Sequence, residues 1–370
     1  MIIDKITVVI KPTNACNLRC KYCYNTYQNY SNQRMELDIY KKLVSMLVQK
    51  YRGIKFIWHG GEPMLMGLDF FRACMEIQDK YKETNLIQFE NAIQTNATLI
   101  DDDWCIFFRE NHFKVGISFD GPPYGLSGRE GAEFALRGIQ TLKKNGLKFG
   151  AVAVINSKNY LYLDEIYDFF TKEDIPFSYN CVFESESVKE SPEMIVSIDE
   201  YTVALEKMFD RWIYDTTCRI KVSPFWQVVK TLRQGPQKCE NIGCMYRFIS
   251  IDYAGNFYPC GRLYYEYYVL GNIWDVQKLE KIWESQVYEE MVKKSIVRRK
   301  NCQKECDLYK YCNGGCNSYA IFAGDLSANH FPECESYYRM LTYVKGKIEA
   351  IKEAKDMEIN PWAKKFIYGE

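Results

Sequence analysis

The sequence predicts an α/β fold with a parallel sheet, followed by a small cysteine-rich domain. Over the first half of the chain, short β-branched runs alternate with segments of helical apolar spacing, a rhythm typical of parallel α/β barrels and wound sheets. Polar and glycine-rich segments follow several of these runs, at the strand ends where such folds place their functional sites. From residue 238 onward the chain instead concentrates cysteine, glycine and tyrosine.

Six strand–helix units account for about the first 185 residues. Residues 6–10 are a β-branched run that predicts a buried strand, and the spacing of Leu37, Tyr40 and Leu43 predicts a helix after it. The predicted strands are 6–10, 54–58, 87–93, 114–119, 149–155 and 177–183. The predicted helices are 36–50, 70–81, a short helix capped at 101–103, 131–145 and 161–171.

The pattern changes after residue 183. The sequence predicts a polar loop at 184–192, an amphipathic helix at 198–214, few long periodic segments from 238, and a helix at 335–355. A small domain of this composition is typically held together by metal rather than by a large core. We therefore expect an α/β domain at 1–185, bridging helices at 186–237, a metal-stapled domain at 238–340, and a C-terminal helix and tail at 341–370.

Composition and charge narrow the function classes. The 370 residues are 47% hydrophobic, which is enough for a sizeable core. Lys+Arg and Asp+Glu both number 48, and this balance disfavours a nucleic-acid partner, which usually requires a basic excess. No apolar run approaches the roughly 18 residues that span a bilayer, and no secretory signal precedes residue 6, so we expect a cytoplasmic protein with no membrane partner.

Fifteen cysteines in a reducing compartment indicate metal ligands or catalytic thiols rather than disulfides. Three of them, Cys16, Cys20 and Cys23, lie close together directly after the first predicted strand. Three thiols in one loop can hold three irons of a four-iron cluster and leave the fourth iron open to a small molecule. The alternative is a zinc knuckle that lacks its fourth ligand, since none of the three histidines lies in this loop.

The loop resembles the signature of the radical S-adenosylmethionine (SAM) enzymes, in which three cysteines have this spacing and an aromatic residue precedes the last. The resemblance implies a partial (β/α)6 barrel in which the open iron binds the amino and carboxylate groups of SAM. An electron from the cluster then cleaves SAM to a 5′-deoxyadenosyl radical, which removes a hydrogen atom from an unactivated carbon. Cys16, Cys20 and Cys23 would be the catalytic cluster ligands, and Tyr22 would lie near the adenine.

Several predicted strand ends carry the residues that this resemblance assigns to the SAM pocket. Glycines allow the backbone to approach a ligand, and a carboxylate such as that of Glu62 can accept a hydrogen bond from an ammonium group. Each of these polar residues could instead be an ordinary solvated loop cap. The assigned residues are Gly60, Gly61, Glu62 and Pro63 for the amino group, Gln94 and Asn96 for the pocket wall, Ser118 and Asp120 for the ribose and carboxylate, and Arg129 for the carboxylate.

Eight further cysteines lie between residues 239 and 334, enough for two four-thiolate sites that hold either four-iron clusters or zinc. Their order resembles the SPASM extension of radical SAM enzymes that modify peptides or proteins. The spacing departs from that family at Cys302 and Cys306, which three residues separate instead of two. The resemblance implies three [4Fe–4S] clusters in all. An inner auxiliary cluster would bind Cys239, Cys244, Cys260 and Cys316, and an outer one would bind Cys302, Cys306, Cys312 and Cys334.

The substrate is expected to be a peptide or protein. In layout the chain resembles anaerobic sulfatase-maturating enzymes, which oxidise Cys or Ser to formylglycine and carry a basic aspartate after the cysteine that corresponds to Cys260. This chain has Gly261 there, and glycine cannot accept a proton. That absence favours the other large group, the oxidoreductases that install a thioether or carbon–carbon crosslink in a ribosomally made peptide. Sulfatase maturation is the alternative.

The first predicted strand begins within the first residues, so leader-peptide binding would need a separate protein. An electron donor of the flavodoxin or ferredoxin type is implied by the resemblance, as is anaerobic chemistry. Tyr264, Tyr265, Tyr267 and Tyr268 form an aromatic patch that could grip a peptide or only pack its own rings. A non-catalytic iron–sulfur electron carrier is the hypothesis of another class, and the open three-cysteine site argues against it.

Overall fold

A computed structural model of the chain describes residues 5–25, 32–85, 87–182, 191–236, 244–354 and 357–368. Most of the predicted polar loop at 184–192, and the predicted ligand Cys239, lie outside the described residues.

The architecture is built on one sheet of ten strands, in the order β10-β9-β8-β1-β2-β3-β4-β5-β6-β7. β1 to β7 are parallel to one another, and β8 runs parallel to β1, while β9 and β10 turn back in antiparallel pairs. The strands are β1 (Lys5–Lys11), β2 (Gly53–Trp58), β3 (Gln88–Thr95), β4 (Lys114–Ser118), β5 (Phe149–Ile155), β6 (Phe177–Cys181), β7 (Val222–Ser223), β8 (Phe248–Asp252), β9 (Asn256–Tyr258) and β10 (Gly271–Asn272).

Helices connect the parallel strands and cover one face of the sheet. The first five, α1 to α5, each link two consecutive strands, as parallel connections require. The helices are α1 (Leu37–Val48), α2 (Leu68–Asn85), α3 (Asp102–Glu110), α4 (Ala132–Lys144), α5 (Leu163–Lys172), α6 (Ile198–Tyr214), α7 (Phe225–Gln234), α8 (Glu280–Trp283), α9 (Gln286–Glu305), α10 (Tyr309–Cys312), α11 (Asn317–Phe322), α12 (Pro332–Glu353) and α13 (Pro361–Ile367).

Alternation along the strands separates a core face from the barrel lumen. In β1, Ile6, Val8 and Ile10 are at most 2% exposed and belong to the main core beneath the helices. The intervening residues point to the opposite face, which is the inside of the barrel, because successive strand side chains alternate. A side-chain cap sets the start of α3: Asp101 accepts a hydrogen bond from the Trp104 backbone N–H at 2.9 Å, which confirms the predicted start of this helix.

All six predicted strand–helix units are present, which confirms the α/β fold class. Several elements of the second half were not predicted, among them the short strands β7 and β9. The cysteine-rich region contributes β8, which pairs with β1 and extends the main sheet. It also contains the 20-residue helix α9 (Gln286–Glu305), which periodicity missed because its buried face includes Ser295, Arg298 and Cys302 rather than an apolar stripe. Across the described residues, no helix has both the length and the apolar character needed to cross a membrane.

Candidate SAM and iron–sulfur sites

The three-cysteine loop lies at the carboxyl end of β1, over the mouth of the barrel. The loop tightens where the Cys23 backbone N–H donates to the Cys20 carbonyl oxygen at 3.1 Å. Nitrogen donors surround the sulfurs: the Leu18 backbone N–H lies 3.4 Å from Cys16 Sγ and Asn96 Nδ2 lies 3.9 Å from the same sulfur. Arg129 Nη1 lies 3.9 Å from Cys20 Sγ. Donors of this kind stabilise thiolates and tune iron–sulfur clusters.

Burial makes ionisation of these thiols costly without a metal. It raises the pKa of Cys16 to about 11, and it raises the pKa of Cys20 as well. Because metal ligands must be deprotonated, a cationic iron core is the partner that would hold them as thiolates. The donor chemistry of the loop therefore fits a four-iron cluster that has three protein ligands and one open iron.

The segment Gly60-Gly61-Glu62-Pro63 packs directly against the cysteine loop. A Cβ atom at Gly61 would lie 2.0 Å from the Ala15 carbonyl oxygen, so only glycine fits there. Gly60 adopts a φ of +111°, and Glu62 donates its backbone N–H to Ala15 at 2.8 Å. Pro63 begins a short 3-10 turn behind the loop. The two segments thus form one continuous cradle at the ends of β1 and β2.

Glu62 ties the ends of β2 and β3 together. Its carboxylate is 1% exposed and accepts hydrogen bonds from the Met64 backbone N–H at 3.0 Å, the Thr95 hydroxyl at 2.8 Å and the Asn96 backbone N–H at 2.8 Å. Burial raises the pKa of Glu62 to about 7, although these donors and Arg129 act in the opposite direction. The assignment of this carboxylate to the SAM ammonium group therefore requires it to share oxygens that protein donors already use.

Asp120 is the centre of a second buried network, at the end of β4. Its carboxylate accepts hydrogen bonds from the hydroxyl of Tyr22, the hydroxyl of Ser127 at 2.6 Å and the backbone N–H of Val154 at 2.9 Å. Arg129 Nε forms an ion pair with it at 3.2 Å, and the Arg129 guanidinium lies 5.5 Å from the centre of the Tyr22 ring. The predicted pocket residues Tyr22, Asp120 and Arg129 therefore lie together.

The remaining predicted pocket residues line the same mouth. Gln94 Nε2 donates to Ser118 Oγ at 2.9 Å, and a Cβ atom at Gly116 would lie 2.4 Å from Gln94 Oε1. The absence of a side chain at Gly116 thus makes room for this pair. Asn96 Nδ2 donates to Asn17 Oδ1 at 2.8 Å, joining the end of β3 to the cysteine loop.

The described thiols of the second region lie in two groups. Cys260 and Cys316 are electrostatic neighbours of Cys244, whose pKa burial raises to about 12. The other four interact with one another: burial, reinforced by the neighbouring thiols, raises the pKa of Cys312 to about 12 and of Cys334 to about 11. Cys302 Sγ and Cys334 Sγ also lie 3.8 and 3.6 Å from the same carbonyl oxygen, that of Asn329. This division is the one expected from the SPASM resemblance, apart from Cys239.

A four-iron cluster holds its thiolates farther apart than a single metal ion does. Within the described ranges, no group of three or more His, Cys, Asp or Glu side chains is close enough to hold one ion. The turn between β8 and β9, ahead of Cys260, requires a glycine: Gly255 has a φ of +85°, and a Cβ there would lie 2.6 Å from Ile273 Cγ2. Gly261, the residue after Cys260, faces the barrel, since a Cβ there would lie 3.2 Å from Val9 Cγ1.

The tyrosine patch mostly packs its own rings. Tyr264 and Tyr265 are 6% and 3% exposed, and the Tyr265 and Tyr267 rings stack with centroids 5.5 Å apart. Tyr267 is the most exposed member, at 56%.

Three polar residues in the lumen were missed: Lys11, Asn25 and His59. Lys11 is 1% exposed and donates to Asn25 Oδ1 at 3.0 Å, while His59 follows β2 beside it. The signal for Lys11 was present in the sequence, since a lysine at the lumenal register of an otherwise apolar strand requires a buried partner. Asn25 and His59 had no comparable signal.

Comparisons with known proteins agree with this geometry. Residues 10–170 match the radical SAM superfamily and residues 239–317 match the SPASM iron–sulfur cluster-binding domain. The cysteine-type anaerobic sulfatase-maturating enzyme of Clostridium perfringens (strain 13 / Type A) is 30% identical over 362 residues, which are 91% of this chain and 96% of the relative. The serine-type enzyme of Bacteroides thetaiotaomicron is 29% identical over 381 residues, covering 94% of this chain and 91% of the relative.

A solved structure extends the similarity to three dimensions. Native anSMEcpe with bound AdoMet and Cp18Cys peptide is 27% identical to this chain, with a TM-score of 0.82 that covers 95% of this chain and 100% of that one. Together, the matched domains and the relatives that are similar along most of their length identify the family. The chain belongs to the radical SAM enzymes that carry a SPASM iron–sulfur domain.

Proposed function

We propose that this protein is a peptide or protein maturase that oxidises a cysteine or serine side chain to formylglycine. The observation that carries this proposal is the similarity to an anaerobic sulfatase-maturating enzyme over 91% of the chain, across both the barrel and the cysteine-rich region. The sequence alone ranked this function second, behind crosslinking. The comparisons favour it, because they support crosslinking only at the level of the shared radical SAM and SPASM domains.

The residues of the barrel mouth would have distinct roles. Cys16, Cys20 and Cys23 would hold the cluster whose open iron binds SAM, and the bound pair would supply the radical that removes a hydrogen atom from the substrate. Gly60 and Gly61 let the end of β2 pack directly against the cysteine loop, and this segment would hold the amino group of SAM. Tyr22 and Arg129, fixed by Asp120, would orient the adenine and carboxylate ends.

The two thiol groups of the second region would hold two further four-iron clusters, which makes three in the whole chain. The inner one would be held by Cys239, Cys244, Cys260 and Cys316 and the outer one by Cys302, Cys306, Cys312 and Cys334. These two clusters would serve as electron acceptors, which suits a two-electron oxidation. Removal of a hydrogen atom leaves a carbon radical, and this radical must lose one more electron. A flavodoxin- or ferredoxin-type protein would supply the electron that starts each cycle.

Crosslinking of a ribosomally made peptide is the second candidate, and Gly261 is the observation that favours it. No side chain at this position can take a proton, whereas a carbon radical can also be quenched by attack on a thiolate or ring of the same peptide. A crosslinking enzyme would use a separate leader-peptide-binding protein as its partner.

One experiment separates the two functions. Anaerobically reconstituted protein is incubated with SAM, a reductant and either a sulfatase-motif peptide or a peptide encoded beside its gene, with an alanine-substituted motif peptide as the control. We expect an aldehyde on the cysteine or serine of the motif peptide, detected by mass spectrometry and hydrazide trapping. An unmodified motif peptide, together with a gene-neighbour peptide that loses a hydrogen pair and resists thiol alkylation, would establish crosslinking instead.

A further inference from the structure

Positive charge is concentrated on one stretch of α9, the long helix of the cysteine-rich region. Residues 291–304 contain six Lys and Arg and no Asp or Glu, although the two charge types balance over the whole chain. Two of the six are arginines that are fully or partly buried, and the other four are exposed lysines. A local excess of this size in a neutral protein attracts an anionic partner to that place. The exposed lysines are Lys293, Lys294, Lys300 and Lys304.

Two apolar side chains lie exposed among these lysines. Ile296 and Val297 are 47% and 48% exposed. Positions three or four apart on a helix share one side. The outward row of α9 is therefore Lys293, Val297, Lys300 and Lys304, about 16 Å long. We call this row, with Lys294 and Ile296 beside it, the lysine face. An apolar centre among cations suits a docking surface, because the apolar contact adds affinity and the charges orient the partner.

Little of this charge is used inside the molecule. Among the described residues, the side chains of Lys300 and Lys304 have no ion pair and no hydrogen bond. Lys293 Nζ lies 3.7 Å from Glu289 Oε2, one turn earlier, and both side chains are more than half exposed. The helix dipole favours a cation at Lys304, in the last turn, but it does not account for the lysines before it.

Acidic side chains lie at the edges of the lysine face and have partners of their own. Asp325, an electrostatic neighbour of Lys294, accepts a hydrogen bond from the Ser327 hydroxyl at 2.6 Å. Glu305, at the end of α9, accepts one from Asn329 Nδ2. The face therefore keeps an excess of positive charge. A second copy of this chain would present the same lysines, so like charges oppose self-association through this face.

The helix connects the lysine face to the second thiol group. Cys302 lies on the buried side of α9 and is 7% exposed, and Cys306 directly follows the helix. Arg298 and Arg299 donate to carbonyl oxygens of residues 313–315, the loop between two further cysteines, and so fix that loop to α9. The outer side of the helix is thus separated from these thiols by little more than the helix itself, about 10 Å across.

We propose that the lysine face is the docking site of an acidic one-electron carrier protein, which takes an electron from the outer cluster. This inference rests on the proposed assignment of that cluster and is independent of which substrate is oxidised. Charge and position identify the occupant: an acidic protein complements the lysines, and only a redox partner gains from contact beside the cluster ligands. Redox complexes bury little surface, so a face of this length is sufficient.

The electron count closes with this assignment. In the proposed oxidation, the substrate radical gives one electron to the auxiliary clusters. The oxidised carrier then takes one electron from the outer cluster, which returns to its oxidised form. No atom or proton passes between the two proteins, so docking requires proximity and no shared active site.

The test measures binding and electron transfer without any peptide. Anaerobically reconstituted wild type is compared with Lys293→Glu/Lys300→Glu, which reverses two exposed charges of the lysine face. Lys345→Glu/Lys352→Glu is the matched control, because these lysines are also exposed and seven residues apart on one helix, α12. The probe is an oxidised flavodoxin of strongly negative net charge, and a basic cytochrome c is the carrier of opposite charge. Calorimetric titration gives the dissociation constants at about 50 and 300 mM NaCl, a range over which screening increases.

We expect flavodoxin to bind wild type and the control variant equally, and to bind Lys293→Glu/Lys300→Glu about tenfold or more weakly at the lower salt concentration. The affinity of wild type should fall at the higher one, and the reversed variant should lose most of this salt dependence. Reduced and desalted wild type should reduce flavodoxin in stopped flow, and the reversed variant should do so about tenfold or more slowly. Both should reduce a small neutral quinone at the same rate.

Other results would overturn the proposal in recognisable ways. Equal flavodoxin affinity in wild type and the reversed variant would do so, as would tighter binding of cytochrome c. Tighter binding of an unrelated RNA duplex, lost in the reversed variant, would make the face a nucleic-acid site. Self-association of wild type that the reversal abolishes would make it a dimer interface. Only about eight irons per chain would remove the outer cluster and the proposal with it, whereas an unmodified motif peptide would contradict the formylglycine function alone.

Discussion

Replacing Asp120 by asparagine tests whether the buried network at the end of β4 holds the SAM pocket together. The carboxylate is 4% exposed and the Arg129 side chain 13% exposed, so the charge of Arg129 has little access to water once its partner is neutral. Removing one member of a buried pair costs about 3–5 kcal/mol. The amide would also place a donor against the Tyr22 and Ser127 hydroxyls, which now donate to Asp120.

For a chain of this size, with an unfolding entropy of about 2.1 cal/mol/K per residue, that loss corresponds to a fall in Tm of roughly 4–6 °C, measured on the reconstituted protein by circular dichroism. The affinity for SAM, measured by equilibrium dialysis, should fall by about tenfold or more because Tyr22 and Arg129 lose their common anchor. Glu130→Gln is the control: Glu130 is exposed, lies in the same loop and accepts the Arg19 backbone N–H at 3.1 Å. Its stability should change by less than about 0.5 kcal/mol. An Asp120→Asn protein as stable as this control would refute the reasoning.

Three further results are expected. Wild type should contain about twelve irons with matching sulfide, and alanine at Cys16, Cys20 and Cys23 together should remove about four irons and end SAM cleavage; zinc with little sulfide would contradict both statements. The raised pKa of Glu62 means that the protonated form stabilises the fold and that this stability is lost as pH rises toward about 7. Compared with Glu62→Gln, wild type should therefore lose about 2 kcal/mol of unfolding free energy between pH 5.5 and 8. If the unfolding free energies of the two proteins change in parallel over this pH range, the pKa of Glu62 is not raised. Gly255→Ala should lower stability, measured by urea unfolding, by about 2–4 kcal/mol through backbone strain and the contact with Ile273. Gly346→Ala is the control: Gly346 lies in helix α12 with no atom near its Cβ position, so this variant should not lose stability.

The barrel was predictable because its determinants are local. Each strand is a short β-branched or apolar run, and each pocket residue follows one of these runs, so the parallel topology alone brings the predicted residues to one edge of the sheet. Tyr22, Asp120 and Arg129 are up to 107 residues apart in sequence and still meet for this reason. The order of the cysteines predicted their division into two groups in the same way, from spacing and resemblance.

What the sequence did not reveal depends on pairing between distant segments. Nothing in residues 248–252 indicates that this strand pairs with β1 rather than with its own domain. The helix α9 escaped detection because Arg298, fully buried, occupies its inner face and donates to the carbonyl oxygens of Leu326 and Gly315. Lys11 was overlooked although a lysine in an apolar strand is itself a signal, because its partners Asn25 and Tyr264 come from other segments that only the fold brings together.

The pairing of β8 with β1 has a consequence for how the two halves of the chain can be separated. Without residues 244–354, β1 would become an edge strand with an unprotected row of backbone donors and acceptors along an apolar sequence. Such edges recruit strands from other molecules. A barrel truncated before β8 should therefore aggregate even with its own cluster intact. By pairing with β1, the cysteine-rich region protects the edge of the sheet, and removing it exposes that edge.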